Sequence, residues 1–185
     1  MIKLLFDRIV ALLALSILLI PVFIPVWLLI RLTSKGSAIY SHTRIGKHCQ
    51  PFKLYKFRSM VVGADKSGYQ TQDGDSRITP IGKILRKTSL DELPQLYNVL
   101  IGDMSLVGPR PDTPMQEKDY TPENWKLRHT VRPGITGLAQ VNGRSNISGE
   151  DRLAYDLEYA RNASFMLDLS IMLRTLNVIT GKGTN

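Results

Sequence analysis

Residues 9–30 read IVALLALSILLIPVFIPVWLLI, a run between Arg8 and Arg31 that holds no charge and only Ser16 as an ordinary polar side chain. At about 1.5 Å per residue a straight helix of this length just crosses a hydrocarbon core roughly 30 Å thick, so the run is a membrane segment. Pro21 and Pro25 fall one turn apart within it, and each removes a helix hydrogen bond and crowds the carbonyl four residues back, on Ile17 and Pro21. A break near mid-depth is expected there. Lys3 and Arg8 precede the run and Arg31 and Lys35 follow it, and basic flanks are held to the cytoplasmic face. A helix that enters, bends at Pro21 and Pro25 and returns satisfies both demands. A proline-kinked spanning helix is the alternative, and a cleaved signal fits worst because the run exceeds the usual apolar region of about 7 to 15 residues. Residues 1–35 are therefore set apart as an N-terminal re-entrant membrane segment, and 36–185 as one domain on the cytoplasmic face.

The chain has 185 residues, 43% hydrophobic and 22% charged, which excludes global disorder, a collagen-like repeat and an all-membrane bundle. Lysine and arginine number 24 against 16 aspartates and glutamates, a formal charge of +8 that favours anionic partners without choosing among phosphates, acidic lipid and nucleic acid. Cys49 is the single cysteine, so there is neither an intramolecular disulfide nor a cysteine-cluster metal site.

Residues Ile39 to Arg44 and Phe52 to Phe57 are β-rich and read as a hairpin joined through Gly46, Lys47 and Pro51. Asp65 to Ser76 reads as a surface loop. Thr79-Pro80 opens a short basic helix, a second helix runs from Ser89 toward Gly102, and Thr121-Pro122 opens another. GDMSLVGPRP is extended, VRPGITGLAQVNGR is turn and strand, and helices follow Ser148 and Ser164. The last, FMLDLSIMLRTLNVI, is apolar around most of its circumference and suits either the membrane interface or a core. The fold class is α+β: a single compact domain with a short β-hairpin and several helices, a re-entrant helix-break-helix and interfacial amphipathic helices.

TSLDELPQLYNVL holds the densest chemistry. Ser89 and Glu92 have capping-box spacing, which is the bland reading. Asp91 beside them sits where a helix start presents free N–H groups and also favours phosphate, and Pro94 distorts that first turn by depriving the Leu90 carbonyl of its partner. Lys56 and Arg58 fall on one strand face, Arg86 precedes Ser89 by three residues, and Arg110 and Arg132 are each held extended by adjoining prolines. Such arginines near a carboxylate pair point to diphosphate recognition. His42, His48, Cys49 and His129 lack zinc spacing, and no Walker, Rossmann, G-x-S-x-G or H-E-x-x-H pattern occurs. Asp168, among apolar neighbours, calls for a cationic partner or a metal unless it lies on an exposed face.

The stretches YKFRSM, GKILRKTSLDELPQLYNVLIGDMSLVGPRP, RHTVRPGITGLAQVNGR and FMLDLSIM, in that order, make the chain resemble the monotopic phosphoglycosyl transferases, the bacterial sugar transferase family, nearly end to end. The resemblance implies transfer of a sugar phosphate from a UDP-sugar to a polyprenyl phosphate such as undecaprenyl phosphate, with release of UMP, at the cytoplasmic face of the bacterial inner membrane. It makes 36–185 the catalytic domain and Asp91 the nucleophile of a covalent, ping-pong reaction. It further implies Mg2+ at Asp91 and Glu92, with Glu92 also a candidate for proton handling. Lys56, Arg86 and Arg110 match phosphate-holding positions, Arg58, Arg132 and Arg144 join them as substrate-binding candidates, and Asp168 matches the acidic position of the terminal helix. Two features depart from the family. The membrane break is Ile20-Pro21 with a second proline where relatives often carry Ser-Pro or Lys-Pro, and the membrane helices and regulatory domain that precede this unit in larger relatives are not in this sequence.

Two other readings compete. One is a membrane-tethered basic module for anionic lipid or nucleic acid, although aromatic residues are only 8% and no nucleic-acid motif is present. The other is a magnesium-dependent glycosyl transferase that releases UDP. No nucleic-acid partner is expected, membrane lipid is, and interfacial helices leave room for a homodimer.

Overall fold

A computed structural model describes residues 2–64, 74–143 and 147–179. The apolar run forms two successive helices, α1 (Ile2–Leu18) and α2 (Ile24–Thr33), joined by a π-helical turn, Leu19–Phe23, in which the Ile24 amide donates to the Leu19 carbonyl five residues back. Where a break was expected, at Pro21 and Pro25, the helical path continues through a locally widened turn. A wider turn lets the backbone pass two residues without N–H groups and still continue. The stretch Ile2–Thr33 is long and apolar enough to cross a membrane by length and composition. One side of it, marked by Asp7, Ala11, Leu15, Val22, Val26 and Ile30, packs on the rest of the chain. The remainder exposes Ile9, Leu13, Ile17, Ile20 and Leu28.

The hairpin is present: β1 (Ile39–Ile45) pairs antiparallel with β2 (Pro51–Phe57), Ile39 opposite Phe57 and Ile45 opposite Pro51. Leu54 and Phe57 project from β2 into two apolar clusters, the first closed by Ala11 and the second by Val26 and Ile30. Helix α3 (Pro80–Lys87) starts as the sequence predicts, with the Thr79 hydroxyl accepting from the Gly82 amide. The helix predicted from Ser89 is shorter. A 3-10 turn spans Leu90–Glu92, and α4 (Gln95–Ile101) begins only after Pro94 and ends at Gly102 in the left-handed conformation, φ 93°.

Strand β3 (Ser105–Val107) pairs in parallel with β4 (Gly134–Thr136). Glycine is required at this contact: a Cβ on Gly134 would lie 2.1 Å from the Gly108 nitrogen, and one on Gly108 would lie 2.2 Å from the Arg132 carbonyl oxygen. Between these strands comes α5 (Pro122–Arg128), capped by Thr121. After β4 the chain forms a short helix, α6 (Leu138–Gly143), where turn and strand were expected. Thr136 is the last paired residue, and at Gly137, where a Cβ would lie 2.3 Å from the Gly108 carbonyl oxygen, the chain passes into the helix. Helices α7 (Gly149–Asn162) and α8 (Phe165–Ile179) complete the fold. Helix α8 buries Asp168 and Ile171 and exposes Met166, Leu173 and Leu176.

Asp168 has the cationic partner that its burial demands. Lys3 Nζ lies 2.5 Å from Asp168 Oδ2 and 3.7 Å from Asp7 Oδ2, while the Tyr159 hydroxyl donates to Asp168 Oδ1 at 2.6 Å. Ser105 donates to Asp7 at 2.6 Å, so this cluster fastens α1 to β3, α7 and α8. Lys3→Met should leave two buried carboxylates without a cation. Because the Lys3 side chain is 34% exposed, the expected loss is about 1–2 kcal/mol, below the full cost of breaking a buried pair. Thermal unfolding in a membrane mimetic measures it, and Lys3→Arg should recover most of the loss.

Candidate active site

Ser89 does not cap the turn that follows it. Its backbone is left-handed, φ 57°, and its side chain makes no capping bond. Glu92, instead of reaching back to Ser89, turns outward and accepts from Lys56 Nζ at 2.7 Å and from Arg110 Nη2 at 2.8 Å through the same Oε1. The capping-box reading is therefore corrected: two cations compete for the Glu92 carboxylate and win. The left-handed Ser89 followed by a tight 3-10 turn places Asp91 and Glu92 side by side at the wall of a cavity of about 880 Å³.

Asp91 is 7% exposed and carries no hydrogen bond or ion pair among the described residues. Burial pushes its carboxyl above the usual carboxylate range, with Lys56 opposing and the Glu92 charge adding to the rise. Glu92 goes the other way. Burial raises it, but the charges and hydrogen bonds of Arg110 and Lys56 outweigh burial and hold it at about 2. Lys56 is drawn below its ordinary value by burial against the pull of Glu92. Two adjacent carboxylates therefore differ in kind. Glu92 is a permanently ionised anchor for cations, and Asp91 is a desolvated carboxylate with its oxygens uncommitted.

Lys56, Arg58, Arg86, Asp91, Glu92 and Arg110 all line this one cavity. Arg86 reaches it from α3, where its Nε donates to the Ser59 hydroxyl at 2.9 Å. That geometry depends on Gly82, since a Cβ there would sit 1.9 Å from the Ser59 carbonyl oxygen. Arg58 donates to the Ser37 carbonyl at 2.6 Å and lies over the Tyr40 ring. Two candidates are placed elsewhere: Arg132 donates to the Gly102 carbonyl at 2.8 Å, bracing the turn after α4, and Asp168 is paired to Lys3 under α1. Neither lines the cavity. Arg144 lies outside the described residues, as do positions 65–73 of the predicted loop.

Sequence reading missed Arg44, Lys87 and Arg152, which also line the cavity, and Tyr40 and His42 beside them. Tyr40, His42 and Arg44 alternate along β1, and that period of two was a usable signal. Burial first, then Arg44, Lys56 and Arg110, drive the His42 ring down to about 3, so it is neutral. Arg152 reaches the cavity from α7, more than forty residues beyond Arg110 in sequence, and no local pattern announces that. Chemically, a cation-lined pocket with one uncommitted carboxylate binds a polyanion and offers a nucleophile to it. A hard cation also suits this donor set: Asp91 is free, and magnesium is commonly held by one or two carboxylates together with substrate phosphate and water. Among the described residues no group of three or more His, Cys, Asp or Glu side chains is arranged to hold a metal ion, so any such ion would depend on substrate oxygens.

A family model described as bacterial sugar transferase matches residues 1–182. The chain is 42% identical over 186 residues to a UDP-glucose:undecaprenyl-phosphate glucose-1-phosphate transferase of Klebsiella pneumoniae, covering 95% of this chain and 40% of that protein. It is 41% identical over 179 residues to a UDP-N-acetylgalactosamine-undecaprenyl-phosphate N-acetylgalactosaminephosphotransferase of Aeromonas hydrophila, covering 91% of this chain and 42% of that protein. It is also 43% identical over 193 residues to the exopolysaccharide production protein PSS of Rhizobium leguminosarum bv. phaseoli, covering 96% of this chain and 94% of that protein. The chain thus spans about two fifths of the length of the first two relatives and nearly all of the third. Since the family model takes in the apolar helices, the Asp91 cavity and the closing helix together, the chain belongs to the bacterial sugar transferase family.

Proposed function

We propose that this protein transfers a sugar 1-phosphate from a UDP-sugar to undecaprenyl phosphate, beginning the assembly of a membrane-linked glycan. The observation that carries the reading is Asp91: buried, unpaired and set in a cavity lined by Lys56, Arg86 and Arg110. An Asp91 oxygen attacks the sugar-bearing phosphorus, a P–O bond forms, and the bond from that phosphorus to the bridging oxygen breaks. UMP leaves with the bridging oxygen, and the sugar phosphate remains as a mixed anhydride on Asp91. An oxygen of the lipid phosphate then attacks the same phosphorus and releases the carboxylate, giving the lipid diphosphate sugar. No proton need move to make Asp91 a nucleophile once it is ionised. Lys56, Arg86 and Arg110 offset the diphosphate charge, and Glu92 keeps Lys56 and Arg110 in place. Mg2+, held by Asp91 and Glu92, would supply further neutralisation of the phosphate oxygens.

The N-terminal helices fit a monotopic arrangement. Ile2–Thr33 would extend about 48 Å as helix, well beyond a bilayer core. Yet Lys3 and Asp7 at one end and Ile30 at the other both pack on the same domain. The buried charges at Lys3, Asp7 and Asp168 belong near the headgroups, so we read both ends of the segment as held at the cytoplasmic face, with Ile9, Leu13 and Ile20 among the lipid-facing side chains. On this reading Asp91 meets lipid phosphate from the cytoplasmic side.

Product identity tests the reaction. Purified protein in a lipid mimetic, given magnesium, undecaprenyl phosphate and a panel of UDP-sugars, should release UMP in proportion to lipid product. Release of UDP would instead mean transfer of the sugar alone.

A further inference from the structure

Behind Arg110 lies a buried polar assembly with no part in the proposed chemistry, although its Asp156 also reaches the cavity wall. Arg128, at the end of α5, is 3% exposed. Its Nε and Nη2 donate to Asp156 Oδ2 at 3.0 and 2.8 Å, and its Nη1 donates to Asp112 Oδ2. A further bond runs from Nη2 to the Arg110 carbonyl at 2.7 Å. The neighbouring carbonyls are held as firmly: Pro109 accepts from the Gly134 amide at 2.9 Å, Pro111 from Arg44 Nη1 at 2.9 Å, and Asp112 from the Ile45 amide at 2.9 Å. Four consecutive carbonyls, 109 to 112, are therefore all tied down, the first to β4, the second to α5 and the last two to β1.

Stability alone does not account for this construction. Two carboxylates and a guanidinium are costly to bury, and well-packed apolar residues would stabilise the same space at least as well. Apolar residues could not supply a donor to the Arg110 carbonyl. Lysine could not either while also satisfying both carboxylates, because the bonds need the planar fork of a guanidinium. Ahead of this frame the Arg110 side chain is half exposed, yet it stands 2.8 Å from Glu92. A long side chain in that setting holds its place only if its backbone is fixed.

We propose that Arg128, with Asp112 and Asp156, is a positioning residue for Arg110: it fixes the backbone from which the Arg110 guanidinium meets the donor diphosphate. This rests on the reading of the cavity as a diphosphate site. The test uses the full chain in a membrane mimetic, with inorganic diphosphate as the probe in titration calorimetry and circular dichroism to verify folding. Arg110→Ala should weaken diphosphate binding about tenfold or more, and Arg128→Lys and Asp112→Asn, neither at a residue that lines the cavity, about tenfold each. In the Arg110→Ala background the same two substitutions should change binding less than twofold, since the residue through which they act is gone. Equal losses in both backgrounds, or undiminished binding by folded Arg128→Lys, would overturn the proposal. Absence of diphosphate binding by the unaltered protein would overturn the cavity reading along with it, whereas UMP-forming turnover unaffected by Arg128→Lys would overturn the positioning role alone.

Discussion

Asp91→Asn is expected to abolish sugar phosphate transfer, by about four orders of magnitude, while raising the melting temperature. The two effects have one cause. Burial places the Asp91 carboxyl above its ordinary range, so the folded protein holds the proton more tightly than the unfolded chain does. The stabilising contribution of that protonated group is complete at low pH and is lost as pH rises through the folded-state value. At neutral pH the ionised carboxylate is therefore a burden on the fold, and a neutral amide of the same shape removes it. An inactive variant that melts lower than the parent would contradict the assignment, because it would make Asp91 a structural carboxylate.

Glu92→Gln is expected to lower kcat/KM by about a hundredfold, the scale seen when one preorganised electrostatic group is lost. Glu92 holds Lys56 and Arg110 through a single oxygen, and the amide that replaces it accepts from them without a charge. The same substitution should move the acid limb of the pH profile. Glu92, held at about 2, is ionised throughout the working range, so the limb belongs to Asp91 and lies above the ordinary carboxylate value. The Glu92 charge contributes to that rise. Removing it leaves Lys56 and Arg110 acting on Asp91 alone, and the limb should shift to lower pH. A limb that stays in place would assign it to another group.

Much of this arrangement was legible in the sequence because it is local. The hairpin followed from two short β-rich runs, α3 from Thr79-Pro80, and the carboxylate pair from its place before Pro94. What escaped depends on distant partners. Ser89 and Glu92 have the spacing of a capping box, but Lys56 lies 36 residues from Glu92 and Arg110 lies 18 away, and those charges decide where the Glu92 side chain goes. Arg132 resembled Arg110 in its proline-bounded context. Only the tertiary fold, which hands the Arg132 side chain the Gly102 carbonyl, separates a brace from a ligand-facing cation. The apolar run showed where the helix would be disturbed, whereas packing of Val22 and Val26 on the domain accompanies a continuous chain of turns through Pro21 and Pro25.

The covalent role of Asp91 is tested most directly by intact-mass measurement of the protein incubated with its UDP-sugar and magnesium but without lipid acceptor. The account predicts a mass increase of one sugar phosphate, located on the peptide that contains Asp91, together with a burst of UMP equal to the enzyme present. UMP formed only when undecaprenyl phosphate is supplied, with the protein mass unchanged, would contradict it and show direct transfer between the two substrates.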